Sequence, residues 1–171
     1  MTEILHAWAL APAAIGTCCL AADRRRVRAP ELVASAVMLL AMMDAALVRV
    51  VAPVLWSALL LVGAMALAAL RRRRRTGLEP IGSAETMTVH TAIGMVVMAA
   101  LLVTMGHAGV ASPPHAHGMG SVALSTTMLG AVAVYAAGSA IAAARARRWL
   151  DRAQYAAMGA STLVMGIAAL G

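Results

Sequence analysis

Six apolar runs, each close to the length needed to cross a bilayer, dominate this chain and leave little room for any other fold. A transmembrane helix needs roughly 20 apolar residues to span about 30 Å of hydrocarbon. Runs of that kind lie near 4–21, 32–50, 54–70, 86–106, 121–144 and 153–170. They are apolar on all sides, whereas helices of a soluble domain keep a polar face at 3.6-residue spacing. Pro30, Pro53, Pro80 and the Pro113–Pro114 pair fall between the runs, where helix breakers belong. The expected fold is an all-α, polytopic membrane bundle of six transmembrane helices forming one domain over residues 1–171. Three helix pairs, about 4–50, 54–106 and 121–170, each lead inward across the lipid and return. Small residues such as Ala136, Ala137, Gly138, Ser139 and Ala140 recur within the runs and allow close helix approach.

Arginine placement gives an orientation. Of fourteen basic residues, all Arg, thirteen fall in three short connections: Arg24, Arg25, Arg26 and Arg28; Arg71 to Arg75; and Arg145, Arg147, Arg148 and Arg152. All three connections lie on one side of the bilayer, and short cytoplasmic loops carry the Arg excess. Both chain ends are therefore expected outside a bacterial plasma membrane. Arg49 is the exception, at the outer end of the second run. The N-terminal run lacks a basic leader and a small-residue cleavage site, so it reads as a retained helix rather than a signal peptide. Cys18 and Cys19 face a reducing compartment and point about 100° apart on a helix, so no disulfide is expected.

The net charge of +7 would suggest nucleic acid in a soluble protein, but these arginines sit in turns between apolar runs and no nucleic-acid motif accompanies them. The expected surroundings are a lipid bilayer and other membrane-complex subunits. Phe, Lys and Asn are absent, as a GC-rich genome would produce. The same drift disfavours Met, yet Met occurs thirteen times.

Those methionines are patterned. At 100° per residue, Met38 and Met42 share a face with Ser35 and Arg49. In the fourth run Met87, Gly94, Met98 and Met105 fall within about 40° of one another, with His90 at the edge. In the sixth, Met158 and Met165 share a face continued by Gln154 and Thr162. Three return helices are thus expected to turn Met-bearing faces towards one interior. The ordinary reading is packing, because thioethers fill irregular gaps and no Phe is present to do so.

The segments Ala34–Met43 (ASAVMLLAMM), Val89–Met98 (VHTAIGMVVM) and Ala156–Met165 (AAMGASTLVM) make the chain resemble, over nearly its whole length, a family of small actinobacterial multi-pass membrane proteins known only as a domain of unknown function. In that family a His precedes the methionines in more than one return helix; here His90 alone matches. The resemblance implies architecture rather than chemistry.

The residues most suited to chemistry lie in the outer connection Gly106–Gly120. In an extended segment His115, His117 and Met119 line one side, and two imidazoles with a thioether suit copper. His107 and Met105 at the end of the fourth run, and His6, add further ligands on that side. A solvated tether is the bland alternative for such a loop. Within the lipid, His90 is the one intramembrane imidazole and a functional candidate by default. Its alternatives are a proton relay, a metal ligand beside Met87 and the methionines of the second run, a haem ligand (disfavoured because no second His lies at matching depth), or a neutral side chain bonded through Thr86, Thr91 or Gln154. Met98 and Met42 are further intramembrane candidates. Asp44 lies in the outer half of the second run, expected either to draw cations inward or to pair with Arg49 or a hydroxyl. No nucleophile–base pair, phosphate-binding loop or HExxH motif is present, so an enzyme is not expected. Two functions stand: a protein that binds or passes copper, and an accessory or scaffolding subunit of a larger membrane complex.

Overall fold

In a computed structural model, which describes residues 2–22, 29–75, 83–108 and 119–168, the chain is a bundle of six helices with no strand among the described residues. They are α1 (Thr2–Ala22), α2 (Ala29–Met43), α3 (Pro53–Arg75), α4 (Ser83–Ala108), α5 (Met119–Arg145) and α6 (Trp149–Ala168). Proline marks two starts: Pro53 opens α3, and Pro30 lies in the first turn of α2, where the missing N–H has no helical partner to lose. The helices run longer than the apolar runs alone suggest. Thus Arg71–Arg75 continue α3 as helix instead of forming a turn, and α4 and α5 take up residues from each end of the connection 106–120.

The α2 helix does not continue regularly to residue 50. It widens into a π-helical turn over Asp44–Val48, closed by the Arg49 N–H on the Asp44 carbonyl at 2.7 Å, and Arg49 takes the left-handed conformation at φ 52°. Arg49 therefore leaves the face that carries Ser35, Met38 and Met42, which corrects its expected alignment with them.

Four helical stretches are long and apolar enough to cross a membrane: Ala29–Val48, Pro53–Arg73, Thr86–Met105 and Ser125–Arg145. Polarity is arranged for that environment. Val54, Leu55, Val62 and Met65 of α3 and Val134 of α5 face outward, while Glu31, Ser35, Ser57, Thr88, Thr91, Ser139, Gln154 and Thr162 are buried. Water would invert this order, since unpaired buried polar groups are costly and broad apolar surfaces associate. The four apolar helices and this inside-out sorting mark a membrane protein.

Packing follows the hairpins in part. Helices α3 and α4 pack along their length, as do α5 and α6, but α1 lies chiefly against α6 and only lightly against its neighbour α2. Close approach uses glycine. A Cβ at Gly16 of α1 would come within 3.2 Å of Ala157, and one at Gly159 of α6 within 2.7 Å of the Ser139 Cβ. The Ser57 hydroxyl, 2.8 Å from the Pro53 carbonyl and 2.9 Å from that of Ala99, ties α3 to α4.

Candidate functional site

The interior holds three chemically distinct groups. The first surrounds His90. Seven residues beyond the start of α4, it sits about 10 Å along the helix axis from that end of the bundle. Its ring stacks on Tyr135 with centroids 4.8 Å apart at 20°, and meets the edge of Tyr155 at 4.8 Å and 86°. Both tyrosines of the chain are therefore spent on one imidazole. Nε2 lies 3.1 Å from the Tyr135 phenol oxygen and 3.3 Å from Ser139 Oγ. The Ser139 hydroxyl already donates to the Tyr135 carbonyl at 2.8 Å, so towards His90 its oxygen can only accept.

The seat is built from complementary small residues. A Cβ at Gly94, one turn beyond His90, would lie 2.5 Å from the Tyr135 phenol oxygen; one at Gly159 would collide with Ser139. The expected partners of His90, namely Thr86, Thr91 and Gln154, are replaced by Tyr135 and Ser139 of α5. Those two stand four residues apart on one helical face, a spacing visible in the sequence, but the neighbouring run of alanines made packing the evident reading.

A second group collects sulfur. Met38 and Met42 of α2, Met95 and Met98 of α4, and Met158 and Met165 of α6 all enter one buried core, with Met105 packed at its margin. The three return helices do turn their methionine faces to a shared interior. Two details differ from the helical-wheel expectation. Met95 joins the core, and Met87 belongs to a separate cluster with Tyr155 and Ala143.

The third group is the Asp44 turn. Its carboxylate accepts the Val50 N–H at 3.1 Å, the Val51 N–H at 3.2 Å and the Trp56 indole N–H at 2.8 Å. The expected partners, Arg49 or a hydroxyl, are not the ones used. Arg49 instead turns back to the Ala45 carbonyl. Asp44 thus closes the α2–α3 connection.

His115 and His117 lie outside the described residues. His107 lies in the last turn of α4 and Met119 begins α5, at the two ends of the same connection. Among the described residues no three His, Cys, Asp or Glu side chains are grouped to hold a metal ion. Cys18 and Cys19 are free thiols. No protein-family model, curated protein or solved structure matches this chain. The family resemblance drawn from the sequence rests on its three segments alone.

Proposed function

We propose that this chain is a non-enzymatic integral membrane protein of a bacterial plasma membrane that binds or passes copper. It crosses the bilayer six times, keeps its arginine-bearing connections in the cytoplasm and has both ends outside. The observation that supports this reading is the convergence of six buried methionines from α2, α4 and α6 on one core. Thioether sulfur selects Cu(I) among the common biological metals, and a core lined by it offers ligands without a charge to desolvate. His115, His117 and Met119, with His107 and Met105 beside them, form the outer capture group in this reading. By topology they meet the ion before the sulfur core does.

The test is Cu(I) titration of the purified protein against a chromogenic chelator. Wild type should compete for the ion. A His115/His117/Met119 triple alanine variant should lose the outer site, and Met42→Leu with Met98→Leu should lose the inner one. Binding unchanged in both variants removes the proposal. Reagents that label residues 113–119 only after the cell is opened would reverse the assigned orientation.

A second reading, an accessory subunit of a membrane complex, is favoured by the outer surface of α5. Gly130 and Gly138 there face open space, with nothing within 4 Å of an added Cβ. Extraction in mild detergent should then recover stoichiometric partners.

A further inference from the structure

The end of the interior nearest the arginine-bearing connections carries oxygen where the middle carries sulfur. On α2, Glu31 and Ser35 precede Met38 and Met42 along one buried face; on α4, Thr88 and Thr91 precede Met95 and Met98. Glu31 is only 4% exposed, and the Thr88 hydroxyl donates to its Oε1 across the α2–α4 boundary. Thr91 is fully buried, and its Oγ1 has no hydrogen-bond partner among the described residues.

That last fact is unusual for a helix. A Thr hydroxyl can return to the carbonyl four residues back, as Thr17, Thr127 and Thr162 do here at 2.8–2.9 Å. Thr91 makes no such bond, so its oxygen stays uncommitted on the face it shares with Thr88, one turn away. Buried hydroxyls without partners are rare in folded proteins, and a bound ion is among the explanations for them.

We infer that Glu31, Thr88 and Thr91 form an intramembrane binding site for a monovalent alkali-metal cation. The three side chains offer oxygen alone, the donor that hard cations take. A hydroxyl that donates its hydrogen to a carboxylate still presents lone pairs, so Thr88 can hold Glu31 and face a cation together. One carboxylate balances one positive charge. A divalent ion would leave a net charge in a low-dielectric interior, where unpaired charge is strongly disfavoured. Asp44, the other acid of the α2 segment, is thirteen residues and about 20 Å further along the axis, with its oxygens taken by N–H donors. Met38 and Met95, members of the sulfur core, follow two turns beyond Glu31 and one turn beyond Thr91 on their helices, so the oxygen site is distinct from the copper reading and independent of it.

The experiment is thermal unfolding of the full chain in mild detergent, in sodium, potassium or choline chloride at equal ionic strength. Wild type should melt higher in sodium or potassium than in choline, and the rise should grow with the logarithm of cation concentration, as ligand linkage requires. Glu31→Gln keeps an acceptor for Thr88 and should abolish the difference. Thr91→Val, which keeps shape and removes one oxygen, should weaken apparent cation affinity about tenfold or more. Should Glu31→Gln fail to fold, Thr88→Val and Thr91→Val carry the test. Equal melting of wild type in all three salts overturns the site. So does a Thr91→Val variant that melts higher than wild type by the same margin in every salt, the behaviour of a merely unsatisfied hydroxyl.

Discussion

The Tyr135 phenol oxygen lies 3.1 Å from His90 Nε2 and occupies the space that Gly94 leaves by having no Cβ. Three residues on two helices therefore depend on one another, and their coupling is measurable. Tyr135→Phe removes the hydrogen-bonding oxygen and keeps the stacked ring; the expected loss is about 1 kcal/mol, the usual net worth of such a bond. Gly94→Ala places its methyl 2.5 Å from the phenol oxygen and should cost about 1–3 kcal/mol through overpacking. In the double variant the phenol oxygen is gone and the nearest ring atom stands at 3.1 Å, so the alanine should cost much less. Reversible unfolding in mixed micelles across the four proteins gives the coupling energy. Strict additivity would show that Gly94 and Tyr135 do not share the space.

The glycines of the α5–α6 seam make a second comparison. A methyl at Gly159 meets the Ser139 Cβ at 2.7 Å, and that atom is fixed to its own backbone, so the helices must separate. Gly159→Ala should destabilise by about 1–3 kcal/mol. Gly138→Ala meets nothing within 4 Å and should be neutral or stabilising by up to about 1 kcal/mol, the helix-propensity gain of Ala over Gly. The same unfolding assay ranks the two, and a reversed order would contradict the packing of α6 on α5.

The Asp44 turn separates a structural carboxylate from a cation-conducting one. Asp44→Ala leaves the Val50, Val51 and Trp56 N–H groups without their shared acceptor, so it should lower the melting temperature more than Trp56→Phe, which removes one donor only. With Trp8 and Trp149 replaced by Phe, Trp56 is the sole indole, and its emission should shift when Asp44 is removed. An emission spectrum identical in both backgrounds would disprove the indole contact.

The helices were legible because length and apolarity are properties of a contiguous run, and the three methionine faces because helical period is local. The His90 assembly was not, since Tyr135 is 45 residues away and nothing local announces which helix face will meet the imidazole. Glu31 escaped for a different reason. Starting the second run at residue 32 put this carboxylate in a turn, whereas α2 begins at Ala29 and carries Glu31 into the interior. For Asp44, a regular helix to residue 50 points to Arg49 or a hydroxyl as the partner. The π-helical turn shifts the register and lets the carboxylate reach the backbone beyond it. The buried stripe of α4 is broader than a single line of side chains and takes in Met95 as well as Met98.

The sulfur core allows packing and ligation to be told apart. Met and Leu have similar volumes, so Met98→Leu in a fully buried position should cost less than about 1.5 kcal/mol and leave the bundle assembled. Met42→Leu, equally enclosed, should behave the same way. If sulfur serves only to fill space, either variant should match wild type in Cu(I) competition as well as in unfolding. If sulfur ligates, stability should hold while Cu(I) affinity falls, and the double variant should fall further than either single one. Chelator competition run beside the unfolding assay, on the same preparations, reads both quantities. Stability and affinity that decline together in proportion would assign the methionines to packing.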